Sequence, residues 1–246
     1  MLEVTDLSRR FEGLRAVDNL SFSVEPGTFV GVIGPNGAGK TTLLNVVTGF
    51  LSPTSGQIHF DNRPIHGLAP YQICRLGIAR TFQIVRPFGE MTVEDNVATG
   101  ILFSSSNRVS VRQARALSEE AIDLVGLTDK RQWLAGVLTM GEKKRLELAR
   151  ALATRPKLLL LDEVMGGLPQ EDVENLIEVL RRVNSHGMTI VMVEHVIHAV
   201  IALTDRIVVL HFGRKLIEGT PDEVVSDPEV IECYLGQPLE TAISKQ

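Results

Sequence analysis

The stretch GPNGAGKT, residues 34–41, constrains the fold more than any other part of this 246-residue sequence. It satisfies the pattern G-x-x-x-x-G-K-[ST] and lies between an apolar run, residues 29–33, and a run of helical character, residues 42–47. In this context glycines let backbone N–H groups surround phosphate oxygens, and the lysine reaches the outer phosphates. The pattern predicts an α/β fold with a phosphate-binding loop, a chance glycine-rich turn being the alternative. The candidate binding residues are Gly34, Asn36, Gly37, Ala38, Gly39, Lys40, Thr41 and Thr42.

Three further apolar runs predict strands beside the one that precedes this loop. Residues 158–161, 189–193 and 207–210 are nearly continuous in apolar side chains, as strands of a parallel sheet covered on both faces are. Between the first two, apolar residues recur at helical spacing from about Asp172 to His186-Gly187. The order strand, helix, strand predicts a parallel core.

Other segments differ from this pattern. Apolar and polar residues alternate near residues 2–4, 22–24 and 57–60, which predicts a second, antiparallel sheet. From about residue 86 to 156 the spacing is helical. This region includes a predicted helix over residues 111–125, which Gly126 would cap. A predicted loop at residues 104–107 precedes that helix. We therefore predict a parallel-sheet core that a helical insertion interrupts.

The composition excludes several classes of protein. Hydrophobic residues make up 44% and charged residues 22%, as in soluble globular domains, and no apolar run approaches the ~18–20 residues of a membrane span. The net charge of −5 argues against a general nucleic-acid binder. The first residues show no secretory signal, and Cys74 and Cys233 lack metal-ligand spacing. We expect a cytoplasmic protein without nucleic-acid partners.

Two acidic residues end one of the buried runs. Asp162 and Glu163 follow the leucines directly, and strand C-termini in open parallel sheets face the ligand crevice. Asp162 is a candidate to hold the hydration shell of magnesium, and Glu163 to orient an attacking water. Without the phosphate loop, the pair would equally fit a solvated strand end. His195 follows another run, and its alternative is an ordinary surface or core histidine.

The sequence LTMGEKKRLELARAL, residues 138–152, predicts a glycine turn that leads into a basic amphipathic helix. A helix N-terminus with a hydroxyl group and a glycine can bind an anion, although the chain already has a phosphate loop far upstream. A plain helix cap with a solvated basic face is the alternative. That face would consist of Lys143, Lys144, Arg145 and Arg150.

With these elements in this order, the chain resembles the ATP-binding subunit of ATP-binding cassette (ABC) transporters from Met1 to about Gly236. The resemblance implies one nucleotide-binding domain over residues 1–246, with a P-loop NTPase core on a RecA-type parallel sheet. The expected parts are the catalytic core with its antiparallel β part at 1–85 and 157–220, the helical signature subdomain at 86–156, and a C-terminal helix and tail at 221–246.

The resemblance also explains the second helix start. Residues 138–142 resemble the signature motif L-S-G-G-Q, whose helix N-terminus faces the γ-phosphate bound to the other subunit. Thr139 keeps the hydroxyl group of the usual serine, and Gly141 keeps the second glycine, while Met140 and Glu142 replace the first glycine and the glutamine. The expected nucleotide-binding residues here are Thr139, Gly141 and Glu142.

Further roles are carried over residue by residue. Phe11 resembles the aromatic residue that stacks on adenine, with a partly buried phenylalanine as the alternative, and residues 83–96 are expected to line the groove for a helix of the membrane subunit. The expected catalytic residues are Glu163 as general base, His195 as γ-phosphate switch, Lys40, and Gln83 as the lid glutamine. The expected metal-binding residues are Thr41, Gln83 and Asp162. The departures from the family pattern nearby are Val164, Pro169 and Val196.

A narrower resemblance, to the ATPases of branched-chain amino acid importers, rests on residues 80–83, 90–93, 141–152 and 218–236. This implies an ATPase that uses ATP and Mg²⁺ to power uptake of branched-chain or other hydrophobic amino acids. The chain is expected to be cytoplasmic and peripheral on the inner face of the cell membrane. The expected partners are transmembrane permease subunits, a second ATPase subunit, either a related chain or a second copy, and indirectly a solute-binding protein. The alternatives are the ATPase of a lipopolysaccharide-type exporter, a soluble ATPase of an iron–sulfur assembly scaffold, and a phosphate-loop kinase.

Overall fold

The computed structural model describes residues 1–104 and 109–235, and within these ranges the chain forms ten strands and nine α-helices. The strands are β1 (Leu2–Phe11), β2 (Leu14–Val24), β3 (Phe29–Ile33), β4 (Ser55–Phe60), β5 (Arg63–Pro64), β6 (Ile78–Arg80), β7 (Leu158–Asp162), β8 (Thr189–Val193), β9 (Arg206–His211) and β10 (Arg214–Gly219). The helices are α1 (Lys40–Val47), α2 (Pro70–Leu76), α3 (Val93–Ser104), α4 (Val111–Leu124), α5 (Met140–Leu152), α6 (Gln170–Ser185), α7 (Ile197–Leu203), α8 (Pro221–Ser226) and α9 (Pro228–Leu235). In this described part of the chain, no helix combines the length and apolar character that crossing a membrane requires.

The larger sheet has six strands in the order β10–β9–β3–β8–β7–β6. Neighbouring strands are parallel except β9 and β10, which form an antiparallel hairpin at one edge. Strands β3, β7 and β8 are buried along their whole length, as strands of a parallel sheet covered on both faces are. The predicted parallel core is confirmed.

The smaller sheet, in the order β2–β1–β4–β5, is antiparallel, as the alternating segments predict. Helix α1 follows the phosphate loop and joins the two sheets. Its Leu43 and Val47 belong to one buried cluster that also contains Leu7 of β1, Ile58 of β4 and Val32 of β3. Burial of this apolar area fixes the start of α1, and with it the phosphate loop, between the sheets.

Helices α3, α4 and α5 lie between β6 and β7 in the chain and pack against one another. The side-chain amide of the buried Asn96 bonds with the backbone of Phe88, Met91 and Thr92 and so holds the entry to α3. Glu94 accepts a 2.6 Å bond from Arg131 on the loop that leads to α5. The helices therefore form a connected unit, although its proposed limits at residues 86 and 156 stay a prediction.

Several helix ends differ in detail from their sequence patterns. Helix α6 begins before the expected Asp172, because Pro169, with φ −58°, occupies the N-cap, and proline suits the start of a helix. The C-terminal part contains α8 and α9 where one helix is expected. The break falls at Asp227, because a residue that precedes proline avoids the helical conformation.

Two expected segments fall partly outside the described residues. Of the predicted loop at residues 104–107, Ser104 is the last residue of α3, and residues 105–107 lie outside the described ranges. The same holds for residues 236–246 of the expected tail.

Substitution of a buried leucine in the parallel sheet tests this core. Leu159 on β7 is 0% exposed, and we expect Leu159→Ala to lower the free energy of unfolding by about 2–5 kcal/mol, because the truncated side chain leaves a cavity. Leu14→Ala is the matched control, since Leu14 is 69% exposed. Urea unfolding of both variants measures the difference, and equal losses would contradict the assigned burial.

Candidate functional site

The phosphate loop is shaped by two glycines that leave no room for a side chain. A Cβ atom on Gly34 would lie 2.1 Å from the carbonyl oxygen of Leu210, and one on Gly39 would lie 2.1 Å from that of Ala16. Gly39 also has φ 102°, in the left-handed region that favours glycine. The loop between β3 and α1 is therefore pressed between β9 and β2.

Lys40 lies buried inside this loop, with 6% of its surface exposed. Its Nζ donates to the carbonyl oxygens of Gly34 at 2.6 Å and Pro35 at 3.1 Å. Burial lowers the pKa of the Lys40 ammonium group, and the carboxylates of Glu163 and Asp162 oppose that shift. The loop thus holds a desolvated cation at its centre, which a phosphate group would stabilise.

Asp162, the last residue of β7, is 2% exposed and is paired with Arg80 at the end of β6. The guanidinium group of Arg80 donates to Asp162 Oδ2 at 2.7 Å and to the side chains of Asn45 at 2.7 Å and Thr48 at 3.2 Å. One arginine therefore ties β6, β7 and the far end of α1 together. No role was predicted for Arg80 from the sequence. The signal that could have found it is a basic residue at the end of a core strand.

The other oxygen of Asp162 is available for a ligand. Oδ1 is buried and makes no hydrogen bond within the described residues, and such a group needs a partner. Thr41, Gln83 and Asp162 line one cavity of about 950 Å³. Hydroxyl, amide and carboxylate oxygens suit Mg²⁺, so these three residues fit the metal that the sequence implies.

Glu163 meets two other predicted catalytic residues. Its Oε2 accepts a 2.7 Å hydrogen bond from Nε2 of Gln83 and lies 3.9 Å from Nδ1 of His195. Glu163 has φ 49°, in a region that costs a non-glycine residue about 1–3 kcal/mol. The three side chains reach this place from the chain just beyond β6, β7 and β8.

Glu194, a buried acid for which no role was predicted from the sequence, supports these three residues. Glu194 is 0% exposed and accepts hydrogen bonds from the backbone N–H groups of Met165 at 2.7 Å and His195 at 3.2 Å. Burial raises the pKa of Glu194, and the two backbone donors oppose the shift. Glu194 thereby links the turn after Glu163 to the turn that carries His195.

The signature segment begins α5 with a closed cap. Thr139 is the N-cap; its hydroxyl oxygen accepts from the N–H of Glu142, and its own N–H donates to Glu142 Oε2 at 2.9 Å. Burial raises the pKa of Glu142, but the bonds from Lys130 and Thr139 outweigh it and the net shift is downward. Gly141 lies against the side chain of Asp172 on α6, so that a Cβ atom there would lie 2.5 Å from the carboxylate carbon and the Asp172 side chain would have to move.

The basic residues of α5 do not share one solvated face. Lys144 is 5% exposed, and Arg145 donates to the carbonyl oxygens of Val125 and Gly126. The alternative of one solvated basic face is therefore wrong, because Lys144 is buried.

Phe11 ends β1 with 38% of its surface exposed, and the guanidinium group of Arg9 lies 4.6 Å from its ring centroid. The next strand, β2, contacts the phosphate loop at Gly39 through the Ala16 carbonyl group. Phe11 is thus a half-exposed aromatic ring at the turn end of the β1–β2 hairpin, paired with Leu14, and its assignment to adenine stays a prediction.

The segment around Gln83 lines an apolar groove that belongs to the same cavity as Thr41 and Asp162. Phe82, Ile84 and Phe88 lie in its wall with 43%, 66% and 48% of their surfaces exposed. Three aromatic side chains from other elements also line the groove. They were not predicted from the sequence, because they are distant from residues 83–96 along the chain. They are Phe50, Tyr71 and Phe103.

Comparisons with known proteins agree with the resemblance seen in the sequence. A family model described as ABC transporter matches residues 17–166, and one described as branched-chain amino acid ATP-binding cassette transporter matches residues 214–239. The high-affinity branched-chain amino acid transport ATP-binding protein BraF of Pseudomonas aeruginosa is 39% identical, covering 96% of this chain and 98% of that protein.

Solved structures share the fold. An ATP-binding cassette of an ABC transporter in its ADP conformation gives a TM-score of 0.88 at 31% identity, with 96% of this chain and 99% of that chain covered. The dimeric structure of a bacterial ABC transporter cassette gives 0.81 at 25% identity, with 90% and 99% covered. The predicted P-loop NTPase fold is confirmed.

The Arg80–Asp162 pair makes a prediction about stability. Arg80→Met removes the cation but keeps an extended side chain, and we expect the free energy of unfolding to fall by about 3–5 kcal/mol, because Asp162 stays buried without its partner. Arg181→Met is the control, since the Arg181–Glu178 pair is exposed and such pairs contribute about 0–1 kcal/mol. Urea unfolding compares the two, and an equally small loss in both would contradict the role of Arg80.

Proposed function

Because the chain belongs to the ABC transporter family of ATP-binding proteins, we propose that it is the ATP-hydrolysing subunit of a transporter that takes up branched-chain or other hydrophobic amino acids. The observation that carries the proposal is the meeting of Gln83, Glu163 and His195 beside the phosphate loop. The match of residues 214–239 to the branched-chain amino acid model supports the importer over an exporter or a scaffold ATPase. A kinase would leave the signature helix without a role.

In the proposed reaction the backbone N–H groups of residues 34–41 surround the phosphates of ATP, and Lys40 turns from its loop carbonyls to the outer phosphates. Mg²⁺, when bound by Thr41, Asp162 and Gln83, supplies charge neutralisation. Glu163 accepts the proton of the attacking water. Preorganised positive charge accounts for most of the stabilisation, because it need not reorganise during the reaction.

A second ATPase subunit completes the proposed site. The N-terminus of α5 presents the hydroxyl group of Thr139 and the backbone beside Gly141, which suit a γ-phosphate. In this chain their described hydrogen bonds stay within the cap, so a phosphate held by a partner subunit is the ligand we assign. The dimeric cassette of similar fold supports such a pair, and either a related chain or a second copy can form it.

The groove beyond Gln83 is the proposed docking site for a permease subunit. Its exposed aromatic side chains are of the kind that anchor protein interfaces, and the groove opens next to the metal-binding residues. A helix seated there would contact the segment that carries Gln83. The chain would then work at the cytoplasmic face of the membrane, with the solute-binding protein engaged only through the permease.

The role of Glu163 is tested by Glu163→Gln, which keeps the size of the side chain but removes the base. We expect kcat for ATP hydrolysis to fall by about 10²- to 10⁴-fold, while ATP binding persists and an ATP-bound dimer accumulates. Phosphate release, nucleotide titration and light scattering measure these quantities. Glu178→Gln on the exposed face of α6 is the control, and wild-type turnover in Glu163→Gln would contradict the assignment.

The partners are tested by isolating the protein from native membranes with its associated subunits. We expect hydrophobic permease subunits and a second ATPase chain, identified by mass spectrometry, because the apolar groove needs a cover. Phe88→Glu should reduce their recovery while leaving the basal ATPase activity of the chain intact. Soluble partners alone would instead favour the scaffold ATPase.

A further inference from the structure

Lys144 is a buried lysine that no step of the proposed mechanism uses. It lies on α5, two residues after the signature segment, and is 5% exposed although a lysine ordinarily stays in solvent. Burial lowers the pKa of Lys144, and the nearby carboxylates of Glu147, Glu194 and Glu163 oppose the shift. A desolvated ammonium group in this place needs specific acceptors.

Those acceptors are the backbone carbonyl oxygens of two catalytic residues. Nζ of Lys144 donates to the oxygen of Gln83 at 2.9 Å and to that of Glu163 at 3.2 Å. The side chains of the same two residues bond each other at 2.7 Å. One ammonium group and one side-chain bond therefore close a ring around the general base.

The next turn of α5 binds the same segment through a second residue. Glu147 accepts a 2.9 Å hydrogen bond from the N–H of Phe82, so Lys144 and Glu147 together bind backbone groups of two successive residues, Phe82 and Gln83, which we call the lid. Burial raises the pKa of Glu147, and the Phe82 N–H is the largest influence in the opposite direction. The signature helix thus clamps residues 82 and 83 by one acceptor and one donor.

We propose that Lys144 is a positioning residue that couples α5, the signature helix, to the general base Glu163, so that the rate of hydrolysis depends on the position of α5. The inference rests on the proposed ATPase function. Glu163 has a left-handed backbone, φ 49°, which persists only when its surroundings hold it. Lys144 holds its carbonyl group, and a movement of α5 toward a partner's nucleotide moves that carbonyl and the Gln83 carbonyl together.

The proposal separates turnover from binding, because the hydrogen bonds that Lys144 makes within the described residues go to Gln83 and Glu163 and not to the phosphate loop. We expect Lys144→Met to lower kcat for ATP hydrolysis by about 10- to 100-fold through misplacement of Glu163. The Kd for a fluorescent ATP analogue should change by less than about twofold. Lys157→Met is the matched control, since Lys157 pairs with Asp61 on the surface.

A second readout does not depend on activity. Hydrogen exchange of peptides covering residues 82–84 should be faster in Lys144→Met than in wild type, because the clamp has lost its donor. The same peptides should be unchanged in Lys157→Met. If Lys144→Met does not fold, Lys144→Gln provides the test, because its shorter amide cannot reach both carbonyl oxygens.

The outcomes distinguish this inference from the proposed function. If the wild-type chain binds ATP but does not hydrolyse it with its native partners, the ATPase assignment is wrong. Hydrogen exchange of residues 82–84 then still tests whether Lys144 holds this segment. Hydrolysis in wild type with an unchanged kcat and unchanged exchange in the Lys144 variant overturns the coupling role. Equal losses of kcat and of ATP affinity would show a merely structural lysine and also overturn it.

Discussion

The phosphate loop is bounded by backbone carbonyl groups from both sheets. The oxygens of Leu210 and Ala16 occupy the positions that Cβ atoms on Gly34 and Gly39 would need, and the N–H of Gly213 donates to the Ala38 oxygen at 3.0 Å. Because one contact comes from the parallel sheet and the other from the antiparallel sheet, the shape of the loop depends on how the two sheets pack. The small sheet therefore belongs to the nucleotide site, although the phosphate loop itself leaves the larger sheet.

The charges next to the loop balance one another inside a poorly solvated space. Arg80 binds one oxygen of Asp162 and leaves the other without a partner in the described chain, so the carboxylate is held in place and still presents an acceptor. Glu163 accepts a hydrogen bond from the neutral side-chain amide of Gln83, which orients its carboxylate. The same strand end thus carries two acids with different side-chain partners, a guanidinium group for Asp162 and an amide for Glu163. This difference follows from the partners that β6 and the lid supply, since the two acids are adjacent in sequence.

The parts that could be predicted from the sequence are those whose evidence is local. The phosphate loop, the buried strands and the order of Asp162 and Glu163 each depend on neighbouring residues, so spacing and composition suffice. Arg80 could not be assigned, because its partner Asp162 follows in a strand whose pairing with β6 the sequence does not state. The run of Lys143, Lys144 and Arg145 leaves a solvated basic face open as the alternative to a signature helix, and only the fold shows that Lys144 is buried. Gln83 and His195 gained roles from the family resemblance, because single polar residues carry little evidence by themselves.

The acidic residue in the signature segment illustrates how the fold accommodates a departure from the family pattern. A carboxylate near a helix N-terminus is favoured by the dipole, but it also competes with a phosphate for the same positive end. Here the Glu142 side chain folds back to cap Thr139 and pairs with Lys130, whose ammonium group also lies 4.8 Å from the centroid of the Trp133 ring. The negative charge is thus paired with the Lys130 ammonium group and is not left free at the positive end of the helix. The cost of replacing glutamine with glutamate therefore depends on Lys130, a residue outside the motif, and a motif comparison alone overstates the change.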